Sequence, residues 1–143
     1  MADLQQVIIP HIVVSDAAAA IVFYKKAFGA TETARLPAED GKRLMHAEVS
    51  INGGRVMLHD HFPEYAAHHG HNKVAPPDTL NGTTVTIHLE VENCDAAIKR
   101  AADAGARVTM PAWDAFWGDR YGEIVDPFGH AWSFAHRLPE KQA

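Results

Sequence analysis

The chain is predicted to be an α+β protein built from two tandem βαβββ modules. Three observations carry that prediction. An apolar, β-branched run of strand length leads into a capped helix, the same order of signals returns seventy-odd residues later, and three strand-like runs follow each helix.

In the first half, Val7–Val14 reads as the opening strand. Ser15-Asp16 supplies a helix N-cap, Ala17, Ala20, Ile21, Tyr24 and Phe28 recur at helical spacing, and Gly29 stands where a left-handed residue ends the helix. Thr31–Leu36, Lys42–Ile51 and Arg55–Asp60 follow as strands, with turns at Pro37–Gly41 and Asn52-Gly53-Gly54. In the second half, Thr84–Val91 is the strand, Asn93 or Asp95 the cap, Ala97, Ile98 and Ala101 the helical stripe, and Gly105 the stop. Arg107–Met110, Arg120–Val125 and Ala131–His136 complete the set. The segments starting at His11 and His88 nearly superimpose, each histidine five residues before its cap, which marks an internal duplication. A sheet with one helix is covered on one face only, so pairing two modules into a curved sheet is expected to leave a concave cavity. The expected organisation is a first module over 1–60, an inter-module loop over 61–82 and a second module over 83–143, all within one compact domain.

Composition narrows the function. At 143 residues, with 47% hydrophobic residues, the chain buries a real core. A net charge of −5 argues against a nucleic-acid footprint or an anionic-membrane binder. The single cysteine, Cys94, excludes an internal disulfide and a thiolate metal cluster, and is read as a buried structural residue. No signal-peptide pattern opens the sequence, and no apolar run reaches the roughly 18–20 residues of a membrane span. A soluble, cytoplasmic protein is expected. The loop over 61–82 holds Pro63, Gly70, Pro76, Pro77 and Gly82 with little periodicity. His59, His61, His68, His69 and His71 crowd it, and read as a solvated cluster that collects stray divalent ions.

Gly118–His136 is the most informative stretch. Asp126-Pro127-Phe128-Gly129 has the residues of a tight reversal, and the strand after it puts Trp132 and Phe134 on one face and Ala131, Ser133 and Ala135 on the other. Together with the Phe116–Gly122 run before it, this stretch resembles the last hairpin of the glyoxalase/bleomycin-resistance/dioxygenase superfamily, the vicinal-oxygen-chelate proteins, and most closely the PhnB-like branch. The resemblance covers nearly the whole chain and implies that superfamily's fold. Metal-dependent members hold a divalent ion with His or Gln on the first strand of each half and Glu on the last. Those positions fall here on Ile9, Thr86, Leu58 and Ser133. Aliphatic groups offer no lone pair, and two lone hydroxyls do not hold a divalent ion unaided. No resident cofactor is therefore expected, and glyoxalase-type isomerisation and extradiol dioxygenation are placed in doubt.

Other polar groups share the presumed cavity faces. His11 lies on the face of Ile9, and His88 on that of Thr86. In Lys42–Ile51, Met45, Ala47, Val49 and Ile51 form an apolar face, leaving Leu44, His46, Glu48 and Ser50 opposite. Three readings of His11, His46, Glu48 and His88 stay open: a displaced His/Glu metal site, a metal-free acid–base pair with Glu48 desolvated beside a histidine, or groups that position a ligand. Glu48 is the one catalytic candidate. Pro111–Tyr121 adds Trp113, Phe116, Trp117 and Tyr121, whose ring faces suit planar or cationic guests, and Arg120, read first as an ion-pair partner. With Ser133 these residues make up the expected ligand-binding set.

The leading expectation is a metal-independent binder of the bleomycin-resistance type that sequesters an aromatic or cationic compound, with a homodimer covering exposed edges. A lyase, isomerase or dioxygenase-like enzyme using the atypical His/Glu site is the alternative. An interaction module presenting its aromatic loop to a protein is a second.

Overall fold

The computed structural model describes residues 4–66 and 74–140, and its elements run βαβββ twice. In the first module β1 (His11–Val14) leads into α1 (Ala17–Phe28), then β2 (Thr31–Pro37), β3 (Leu44–Ile51) and β4 (Gly54–Asp60). Two single-turn helices, α2 (Pro63–Ala66) and α3 (Pro77–Leu80), lie where a loop is expected. The second module is β5 (Thr86–Glu90), α4 (Cys94–Ala104), β6 (Arg107–Asp114), β7 (Asp119–Val125) and β8 (Ala131–Arg137). Each module forms one four-stranded mixed sheet. Sheet A has the order β1-β4-β3-β2 and sheet B the order β5-β8-β7-β6, with a parallel first pair and antiparallel neighbours in both.

The duplication extends to the helix caps. Asp16 accepts a hydrogen bond from the Ala19 N–H at 3.0 Å, and Asn93 accepts one from the Ala96 N–H at 3.0 Å. Gly29, at φ 68°, ends α1 with its N–H returned to the helix carbonyls. The last strand of each module also reaches back to its helix. Asp60 accepts from the N–H groups of Ala17 (2.8 Å) and Leu44 (2.6 Å), while in the second module the Nδ1 of His136 accepts from the Cys94 N–H at 2.8 Å. A carboxylate in one repeat and an imidazole in the other perform one task. Cys94 is buried, and that burial pushes its thiol up to about 11. It is an unreactive core residue.

The core lies between the sheets' helix-facing sides and the two helices, which pack on each other. Ala20, Ile21 and Tyr24 of α1 share one core with Ala47, Val49 and Leu58 of sheet A, and Tyr24 and Phe28 also pack, tilted, against Trp132 of sheet B at ring separations of 5.4 and 4.6 Å. Asp126 joins the modules. It is 3% exposed and accepts four hydrogen bonds: from the Tyr24 hydroxyl (2.7 Å), the Trp132 indole (2.9 Å) and the N–H groups of Phe128 (2.9 Å) and His130 (3.0 Å). The turn it opens closes through the Gly129 N–H to its own carbonyl, and Gly129 takes φ 89° with Pro77 against it, leaving no room for a Cβ. His130 then donates to the Val13 carbonyl at 2.7 Å.

Several local expectations are corrected. β1 starts only at His11, because Pro10 has no N–H for the ladder and Val7 and Ile8 stand exposed. β6 runs on to Asp114, the second of its two register irregularities spanning Pro111, so Trp113 sits on a strand paired with Tyr121. At the start of β3 the burial alternation is reversed, with Leu44 buried and Met45 exposed, because the register shifts between Leu36 and Pro37. Leu58 is fully buried on the helix side, so the β4 residue beside His11 on the open face is Met57. The two sheets stay separate, and the concave hollow expected between the halves is not closed within one chain: His11, His88, Trp113, Phe116 and Trp117 all stand exposed.

Asp126→Ala removes an acceptor from two buried and two part-buried donors and should cost about 3–5 kcal/mol in chemical denaturation. Tyr24→Phe leaves three of those bonds and should cost only about 1 kcal/mol. Equal losses would contradict the role given to Asp126.

Candidate functional site

The faces of the sheets turned away from the helices carry the polar and aromatic residues. On sheet A the open face holds His11 and Val13 from β1, Met57 and His59 from β4, and His46, Glu48 and Ser50 from β3. The His11 ring lies 5.8 Å from that of His46 and 5.1 Å from that of His59, edge to face in both cases. Sequence reasoning assigned His59 to the histidine-rich loop; it belongs to this cluster, and strict alternation with buried Val56, Leu58 and Asp60 is the signal that places it there. His68, His69 and His71 lie outside the described residues. Burial, then the charges of His59 and His46, hold the His11 imidazole below its usual pKa.

Glu48 is not paired to a histidine. Its carboxylate accepts from Arg55 at 2.7 Å and from the Thr33 hydroxyl at 2.9 Å, and these bonds, Arg55 first, hold its pKa below the ordinary value. A carboxylate so stabilised in its charged form is a weak base, which counts against the acid–base role considered for it. Its partner Arg55 stands on β4, whose Met57 faces Glu48 in register.

Sheet B presents a different surface. Trp113 meets Trp117 edge to face at 5.8 Å, Trp117 meets Tyr121 at 5.3 Å, and Tyr121 lies nearly parallel to His88 at 6.2 Å and 14°. Phe116 contacts Trp117 at 5.1 Å and is 92% exposed. These residues form one continuous aromatic row across β6, β7 and β5. The Trp117 indole donates to Asp119 at 3.1 Å, which fixes its orientation. Beneath the row, the Tyr121 hydroxyl donates to Glu123 at 2.8 Å, and His88 Nδ1 lies 2.8 Å from the Ser133 hydroxyl. Glu123 did not enter the expected site. Arg120 did, but it is spent on an ion pair: it bonds Asp95 at 2.9 Å and Asp114 at 3.0 Å, tying α4 to the sheet.

The structure therefore divides the expected set. His11 and His46 gather with His59 on sheet A, while His88, Trp113, Phe116, Trp117, Tyr121 and Ser133 gather on sheet B. No contact joins the two groups among the described residues. Of the positions to which the resemblance points, Ile9 brings no lone pair, Thr86 one hydroxyl and Ser133 a hydroxyl already hydrogen-bonded to His88, while Leu58 is buried on the helix side and Met57 stands beside His11 in its place. Among the described residues, no three His, Cys, Asp or Glu side chains are arranged to hold an ion. Of the cavities among the described residues, two reach these groups, one through His88 and the other through His11. One of about 660 Å³ runs between the end of α1, the β3–β4 turn and the β5–α4 segment, over Phe28, Ile51, Leu89 and Phe134. Another of about 320 Å³ lies between β1 and β5, beside His11 and His130.

Tandem βαβββ modules with the polar groups on the open sheet faces define a class, and the sequence model of the glyoxalase/bleomycin resistance protein/dioxygenase superfamily matches residues 5–134. The chain belongs to that superfamily. An uncharacterized protein of Mycobacterium bovis is 48% identical over 138 residues, covering 96% of this chain and 88% of its own. The crystal structure of TioX from Micromonospora sp. ML1 superimposes with a TM-score of 0.72 at 25% identity, covering 94% of this chain and all of that one. The PhnB protein of Bacillus cereus shares the fold at a TM-score of 0.65 and 18% identity, again over 94% of this chain. Among the described residues, no helix is long and apolar enough to cross a membrane.

The lowered pKa of His11 has a signed consequence. The folded chain takes up this proton less readily than the unfolded one, so stability should fall as pH drops through the ordinary histidine range near 6.5 toward the folded value. A His11→Gln variant should show a flatter stability profile between about pH 5 and 7 in urea titrations. An unchanged slope would contradict the imidazole cluster as its source.

Proposed function

We propose that the chain is a metal-independent small-molecule binder that holds a planar aromatic or cationic compound against the open face of sheet B. One observation carries this reading: the unbroken row of Trp113, Trp117, Tyr121 and His88, fixed by hydrogen bonds from below and open to solvent above. Aromatic faces stack on planar guests and attract cations, and such contacts contribute about 0.5–1.5 kcal/mol each beyond the area they bury. Glu123 favours a positive guest, since among the described residues it faces a phenol rather than a basic partner. Membership of a superfamily that includes bleomycin resistance proteins supports the same reading.

The metal-independent part rests on donor chemistry, because Thr86, Ser133 and Met57 make a poor set for any divalent ion. The cluster of His11, His46 and His59 favours a second reading, an enzyme with an atypical imidazole site. The exposure of both open faces also makes a second copy of the chain their natural cover, and we read the protein as a homodimer in the cytoplasm.

Protein purified without an affinity tag should contain far less than one transition-metal ion per chain by elemental analysis. Its tryptophan fluorescence should be quenched by proflavine, and Trp117→Ala should weaken that binding roughly tenfold. Stoichiometric metal lost in a His11→Ala/His46→Ala variant would move the assignment to the enzyme, and absence of quenching would remove the binder.

A further inference from the structure

Arg35, Arg43, Arg55, Arg120 and Arg137 each form an ion pair with a carboxylate. Among the described residues, Arg100 of α4 does not. Its Nε donates to the Lys26 carbonyl near the end of α1 at 2.7 Å, and its guanidinium lies 3.4 Å from where a Cβ would stand on Gly29. A backbone bond and a glycine thus hold a planar cation across the junction of the modules. Both Nη groups keep their donors, with no carboxylate among the described residues to meet them. A guanidinium fixed in this way has given up much of its rotamer freedom before any anion arrives.

The same side chain lines the cavity of about 660 Å³ between the end of α1, the β3–β4 turn and the β5–α4 segment. That volume lies within the range of small-molecule sites. Its floor is apolar: Ile51 and Phe134 belong to the core, and Phe28 and Leu89 pack against it. Charge is divided along the cavity. Glu90 and Glu92 stand where β5 leads into α4, and Arg100 stands seven residues past the Asn93 cap, about 10 Å farther along the helix axis. Lys26 and Lys99 share an adjoining hollow with Arg100, Lys99 bonded to Asp103 at 2.7 Å. The Arg100 end is therefore cationic, about one screening length from the acidic end.

We propose that this cavity is a second binding site, for an apolar carboxylic acid. The hydrocarbon body lies over Phe28, Ile51, Leu89 and Phe134, and the carboxylate accepts from Nη1 and Nη2 of Arg100. A guanidinium fork meets a carboxylate through two parallel bonds that a neutral hydroxyl cannot reproduce. His88 borders both this cavity and the aromatic row, but the guest here is an anion. The assignment does not rest on the sheet B reading.

The test follows ¹H–¹⁵N spectra of the wild-type chain through addition of decanoate or naphthoate, with decanol and naphthalenemethanol as neutral counterparts. At least one acid should move the Arg100 Nε–H signal together with the Leu89 and Ala97 amides, while the Trp113 and Trp117 indole signals stay in place. Its alcohol should bind at least about tenfold more weakly. Arg100→Gln should weaken the acid about tenfold and leave the alcohol unchanged, with the urea midpoint confirming that the fold is kept. Should that variant unfold, the wild-type comparison of acid and alcohol decides alone. Binding of neither acid, equal binding of acid and alcohol, shifts confined to the tryptophan indoles, or a folded Arg100→Gln chain with unchanged affinity overturns the site. Proflavine binding, or its absence, bears on sheet B only.

Discussion

The buried carboxylate of Asp126 is the constraint on which the rest depends. It gathers a hydroxyl from α1, an indole from β8 and two N–H groups of its own turn, so one charged group fixes the first module, the second module and the β7–β8 hairpin together. A carboxylate at 3% exposure is costly unless each of its lone pairs is met, and here each oxygen accepts twice. Packing alone would hold Tyr24, Phe28 and Trp132 together, but it would not specify their orientation. With Trp132 and Phe134 directed to the helices, the alternate residues of β8, among them Ser133, face the open side.

Duplication gives each module one covered face and one open face, and the two open faces have diverged. His11 and His88 occupy matching places beside the last strand of their modules, yet one neighbours Met57 and further imidazoles and the other neighbours Ser133 and a phenol. A similar divergence marks the helix N-termini, where Asp60 in one module and His136 in the other accept the same kind of backbone bond. The scaffold tolerates such exchanges because its core lies on the opposite side of each sheet. Chemistry on the open faces is therefore free to change while the fold is kept.

Much of the fold was legible because its signals are local. Caps at Asp16 and Asn93, the glycine after each helix and the repeat of strand-like runs depend on neighbouring residues only. The errors fall where register decides. The reversal of Leu44 and Met45 follows from an irregularity near Pro37, and the misplacement of Leu58 for Met57 is a one-residue slip that moves a side chain to the opposite face. The candidate site was legible as a composition and not as an arrangement. The aromatic residues could be named from their density between 111 and 121, but the pairing of Glu48 with Arg55, of His88 with Ser133 and of His59 with His11 arises between strands whose alignment no local pattern reveals.

The three tryptophans provide the most direct test of the central claim. Trp113 and Trp117 belong to the open row, while Trp132 is wholly buried with its indole N–H on Asp126. In a ¹H–¹⁵N spectrum followed through addition of a planar cation, the indole signals of Trp113 and Trp117 should move while that of Trp132 stays fixed. Movement confined to Trp132, or three unmoved signals at saturating cation, would contradict a binding site on the open face of sheet B.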